Sequence, residues 1–162
     1  MANRIPAPDG SANKVVSERF RMNPYIEQKI LTADPIELIR ILYQHGIFAV
    51  REAREHLRAG RIMERAKAIN KAWAVLMELK SSLRPEAAPE VAGRLSDLYC
   101  YLQRRLIAAN FEQKDEPLAE VLGLMTTLSE AWAAPVETAP QPAGIAWQAA
   151  MAGPVSGIEI HG

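Results

Sequence analysis

Between residues 35 and 134, apolar side chains recur every three or four positions with polar residues between them. That period belongs to helices burying one face, and no stretch alternates with period two long enough to suggest a strand. Punctuation divides the pattern. Asn23 and Pro24 open a short lead helix over residues 25–31. Asp34, Pro35 and Glu37 make a stronger start: a side chain that accepts N–H bonds at the N-cap, proline at N1 and a carboxylate at N3. The first long helix runs to about Ala59, where Gly60 stops it. The second spans 62–83 and ends before Pro85. The third starts near Pro89 and ends at Asn110, a residue that tolerates the left-handed cap. The fourth starts at Asp115, carries Pro117 in its first turn and stops before Pro135. Four helices of roughly 20 residues joined by short loops predict an all-α fold. The expected architecture is an antiparallel four-helix bundle with a short N-terminal lead helix.

The helical wheel assigns faces. The first long helix turns Ile36, Leu38, Ile39, Leu42, Tyr43, Gly46, Ile47, Val50, Ala53 and Leu57 inward on one broad face. Glu37, Arg40, Gln44, Arg51, Glu52 and Glu55 turn outward. Ile41 and Phe48, seven apart, fall in the middle of that polar side. Either the lead helix or a tail covers them, or they form a groove for a partner's apolar residues, since that spacing anchors helix-in-groove recognition. Both hold if a mobile segment fills the groove until the partner displaces it. The second helix is expected to bury Ile62, Ala66, Ile69, Trp73, Leu76, Leu79 and Leu83, with Ala68, Ala72 and Val75 at its flank as helix–helix contact. The third buries Val91, Leu95, Leu98, Leu102, Leu106 and Ala109 and leaves Tyr101 and Ile107 off the stripe. The fourth buries Leu118, Val121, Leu122, Met125, Leu128 and Trp132. On its other side, Gly123 costs roughly 0.5–1 kcal/mol relative to Ala, which close packing would explain.

Composition changes the picture at the ends. Residues 1–22 hold Pro6, Pro8 and Gly10 with few bulky apolar groups and read as a flexible N-terminal segment. Residues 135–162 are rich in Pro, Ala and Gly and read as a disordered tail in which Trp147, Ile158 and Ile160 are scattered apolar residues. The bundle domain is therefore expected at 23–134. Lysines plus arginines equal aspartates plus glutamates at 19 each, which argues against a nucleic-acid partner or a polybasic membrane anchor. No apolar run reaches a membrane-spanning length and the N-terminus has no secretory h-region, so a cytoplasmic protein without membrane insertion is expected.

The chemistry-bearing residues suggest no enzyme and no cofactor. His45 and His56 lie three turns apart, about 16 Å, too far to share a metal ion. Cys100 has no histidine near it in sequence and reads as a packed thiol. No phosphate-cradling glycine loop or nucleophile elbow occurs. Arg104 and Arg105 form the one paired basic site, read as bracing a neighbouring helix or facing solvent; an anion or RNA site would betray itself by steep salt dependence.

Residues 95–110, LSDLYCYLQRRLIAAN, resemble the L-x-x-L-Y-D-Y-x-x-R-R-L-x-x-A-N signature of the FliS family of flagellin-specific secretion chaperones. Residues 32–38 followed by Ile41, Leu42 and Tyr43 resemble its T-A-S-P-x-x-L and M-L-Y-D-G elements, and residues 120–124 with Ala131 and Trp132 resemble its last helix. The likeness spans about residues 25–132. Gln44 and His45 stand where the family has Asp-Gly, with Gly46 one place later, and Cys100 replaces the aspartate of Y-D-Y. The tail has no counterpart in the resemblance. It implies a helical bundle that binds the disordered C-terminal segment of flagellin, blocks premature polymerisation and delivers it to the flagellar type III secretion apparatus. It also implies that Tyr25 belongs to a segment covering part of the client surface. Client contacts are expected at Ile41, Phe48, Tyr25, Val75, Tyr101 and Ile107, in a monomer or weak homodimer. The competing reading is a non-export helical adaptor that binds another amphipathic helix.

Overall fold

A computed structural model describes residues 35–133. The expected flexible start, the lead helix with Tyr25, the Asp34 cap and the tail from residue 135 lie outside the described residues. Within them the chain forms four helices, α1 (Pro35–Arg58), α2 (Ile62–Ser81), α3 (Pro89–Glu112) and α4 (Glu116–Ala133), with no strand among the described residues.

Local chemistry sets the ends. Gly60 takes φ 68°, the left-handed conformation that glycine adopts without a Cβ penalty. The Arg61 N–H then closes back on the His56 carbonyl at 2.9 Å. Pro89 occupies the first turn of α3. The stop expected at Asn110 is corrected: α3 continues to Glu112, and Gln113 adopts the left-handed cap at φ 55° with its N–H on the Ala109 carbonyl at 3.0 Å. Asn110 is held differently. It receives Arg65, whose Nε donates to Oδ1 at 3.2 Å and whose Nη2 donates to the backbone carbonyl at 3.3 Å. That carbonyl is one of the last four of α3, which has no basic residue in its own last turn. The buried Arg65 guanidinium supplies the missing positive charge from α2.

α1 packs on α2 and α4, and α3 packs on the same two. Contacts along neighbouring helices occur in opposite order. Arg40, early in α1, donates to the carbonyl of Trp132 late in α4 at 3.2 Å. Arg54, late in α1, makes a two-pronged bond to Asp115 just before α4, at 2.7 and 2.6 Å. Gly46 lies beside Val75, and Glu52 reaches back to Lys71 at 3.6 Å. Between α2 and α3, Arg65 meets Asn110 and Lys80 meets Cys100.

The core is aliphatic apart from Tyr43, Tyr99, Met125 and Trp132. Tyr43 of α1 and Tyr99 of α3 are fully buried, and their hydroxyls share a hydrogen bond of 2.5 Å across the core. Burial pushes the Tyr43 hydroxyl up to about 12 and the Tyr99 hydroxyl higher still, so both stay neutral and satisfy each other.

Three expectations about faces are corrected. Ile41 is buried in the core cluster rather than sitting on the polar side. In α2 the buried column runs through Ala68, Ala72, Val75 and Leu79, together with Ile69 and Leu76, while Ile62 and Trp73 face out. The close approach falls at Gly46, not Gly123. A Cβ on Gly46 would run into Met125 Cε and sit 3.0 Å from Val75 Cγ1, whereas one on Gly123 would meet nothing within 4 Å.

Candidate partner-binding groove

Rotating α2 onto its alanines has a consequence on the far side of the helix. Ile69 and Trp73 are four apart and form one column, and so do Ile107 and Phe111 on α3. The two columns border an open groove of about 530 Å³ lined by Ile69, Asn70, Trp73, Ile107, Asn110 and Phe111. Arg65 and Asn110 pin the two helices together at one end of it. Phe111 is 88% exposed, Ile107 58% and Trp73 37%. Exposed aromatic and aliphatic groups gathered in a groove mark an interaction surface rather than scattered surface apolarity. No lining side chain is ionisable. The groove can bury apolar side chains and offer two neutral amides for hydrogen bonding, and its lining has no group to move a proton.

The residues named from sequence divide among four places. Ile107 lines the groove. Phe48 is exposed on α1. Tyr101 is exposed on the α4 side of α3, where its hydroxyl donates to Glu120 Oε1 and Arg105 Nε donates to Glu120 Oε2 at 2.5 Å. The Tyr101 hydrogen bond, helped by Arg105, holds the Glu120 carboxyl below its usual range. The Arg104–Arg105 pair is thereby split: Arg105 braces α4, and Arg104 is exposed. Ile41 and Val75 are buried, Ile41 as the covered alternative for the Ile41–Phe48 pair has it and Val75 as helix–helix contact. Tyr25 lies outside the described residues.

Sequence reasoning missed Phe111 and misassigned Trp73. The signal for Phe111 was present, since it stands one helical turn beyond Ile107 on the same side, but an α3 ending at Asn110 leaves it in a loop. Trp73 reads as core wherever size alone ranks inwardness.

Arg54 holds the Asp115 carboxyl below its usual range through their paired hydrogen bonds. Burial, reinforced by Lys71, holds the His45 imidazole below its ordinary value, with Glu52 opposing. No described helix is long and apolar enough to cross a membrane.

The family model described as flagellar protein FliS matches residues 19–139, which include all of the groove. The chain is 34% identical over 108 residues to the flagellar secretion chaperone FliS of Salmonella typhimurium, covering 66% of this chain and 80% of that protein. It is 33% identical over 107 residues to the flagellar secretion chaperone FliSB of Pseudomonas aeruginosa, covering 66% and 85%. It is 29% identical over 113 residues to the flagellar secretion chaperone FliS of Bacillus subtilis, covering 68% and 84%.

Proposed function

The chain belongs to the FliS family of flagellar secretion chaperones, and from that premise we propose that it is a cytoplasmic export chaperone for flagellin. It binds the disordered C-terminal segment of flagellin, prevents premature polymerisation and delivers the subunit to the flagellar type III secretion apparatus. The working unit is an antiparallel four-helix bundle over about residues 23–134, a reading supported by the opposing order of contacts along α1 with α4 and along α2 with α3.

The observation that carries this reading is the groove between α2 and α3 with its exposed Trp73, Ile107 and Phe111. A chaperone must cover apolar side chains that a polymer would otherwise bury, and it must do so without chemistry. Burying apolar surface favours association by roughly 25 cal/mol per Å². Ordering a disordered client takes back several kcal/mol, about 2–5 or more, which keeps the complex reversible for export. In this assignment Ile107, Trp73 and Phe111 form the principal contact. Tyr101 and Phe48 extend it over neighbouring faces, and Tyr25 belongs to the segment ahead of the bundle.

Co-elution of the full chain with the C-terminal segment of flagellin from the same genome tests the assignment. The complex is expected to form at low micromolar concentration or better and to survive raised salt, because an apolar groove does not depend on phosphate-like charge contacts. Failure to retain that segment, with retention of an unrelated amphipathic helix, would favour the non-export adaptor instead.

A further inference from the structure

The groove is neutral as well as apolar, with Asn70 and Asn110 as its only polar lining groups. Only one end of the chain matches that character. Residues 1–34 carry charged side chains along their length, among them Arg4, Asp9, Lys14, Arg21, Lys29 and Asp34. Residues 138–158 carry none, and they hold a single large aromatic, Trp147, with Met151 four positions further on. Pro142 on one side and Gly153 with Pro154 on the other bound this stretch. An uncharged segment enters an apolar groove without the penalty of stripping water from an ion.

We propose that residues 143–152 of the same chain dock in the groove between α2 and α3, with Trp147 seated beside Trp73 and Phe111, and so compete for it with the incoming partner. The competition rests on the reading of this groove as the flagellin site; the docking itself does not.

Length permits the arrangement. Trp147 stands fourteen residues beyond Ala133, the last residue of α4. An extended stretch of that length spans up to about 46 Å. The longest described helices, at 24 residues, are about 36 Å long, and Ile69 and Trp73 lie in the middle of α2. A segment tethered this closely meets the groove at an effective concentration of about millimolar, so even weak docking fills it. Asn70 and Asn110 offer amide oxygens for the Trp147 indole N–H. If the tail holds the groove about nine-tenths of the time, the partner's apparent affinity falls about tenfold.

The test compares the isotope-labelled full chain with its Trp147→Ser variant by amide and indole NMR, in the absence of flagellin. Docking predicts that the resonances of Asn70, Trp73, Ile107 and Phe111 move on substitution and that the difference survives tenfold dilution. Changes confined to the sequence neighbours of residue 147 would overturn it. A difference that vanishes on dilution would also overturn it, by assigning the groove to the tail of a second copy. The flagellin C-terminal segment is then titrated into both proteins. Binding about tenfold tighter to Trp147→Ser supports competition, and equal affinity overturns it. If neither protein binds the segment, the flagellin reading fails while the spectra still decide the docking.

Discussion

α2 has two sides that reverse the usual sorting of side chains by size. On one side it buries the column of Ala68, Ala72 and Val75, with Gly46 of α1 against Val75 and Ala49 and Ala53 of α1 also buried. Toward α3 and solvent it carries Trp73, which together with Ile107 and Phe111 leaves large apolar surface open to water. Small residues let two backbones approach closely, and packing at that seam then depends on nothing being added. Large residues left outside cost solubility and bring the bundle no burial. Their cost is recovered only when something covers them. α2 thus packs its alanines inward beside its leucines and leaves Trp73, its largest side chain, at the surface.

The tight seam is where substitution should hurt the fold most. Gly46→Val places atoms where Met125 and Val75 already sit, and it is expected to lower stability by about 3 kcal/mol. Urea unfolding followed by circular dichroism measures this, and a loss below about 1 kcal/mol would mean that the seam relaxes and is not tight. Gly123→Ala sharpens the contrast, because the same residue type stands there in open space on an exposed helix face. It is expected to raise stability by about 0.5–1 kcal/mol in the same assay.

A smaller effect tests the polar edge of the seam. The folded chain holds the His45 imidazole below its ordinary value, so the unfolded chain takes up that proton at higher pH. The contribution is complete above about pH 6.5 and is lost progressively as pH falls from there to the folded value. His45→Gln should therefore flatten the decline of Tm between about pH 7 and pH 5. An unchanged slope would place the decline on another group.

The folded outline was legible in residues with one dominant conformational role. Gly60, Pro89 and Pro117 marked helix ends to within a residue or two, because the proline ring fixes φ and removes a donor while glycine takes the left-handed stop without a Cβ clash, whatever the tertiary context. The end of α3 was misread because Asn110 can take the left-handed cap but is engaged by Arg65, leaving Gln113 to take it. The face of α2 was misread for a different reason. A helical wheel that weighs size sees Ile62 and Trp73 as core, yet α2 turns Ala68, Ala72 and Val75 inward, with Val75 against Gly46 of α1. The groove needs two helices in a particular rotation, so no single stretch of sequence contains it. Ile107 was visible as an apolar residue off its stripe, while Phe111 became visible only once α3 was known to continue past Asn110.

The central claim is that the groove between α2 and α3 holds the C-terminal segment of flagellin. Calorimetric titration of that segment into the full chain and its Phe111→Ser variant tests it most directly, because Phe111 is almost wholly exposed and its loss should leave melting unchanged. The account predicts binding at least about tenfold weaker for the variant, a loss of about 1.4 kcal/mol. Equal affinity of the two proteins for the segment, with melting unchanged, would contradict it.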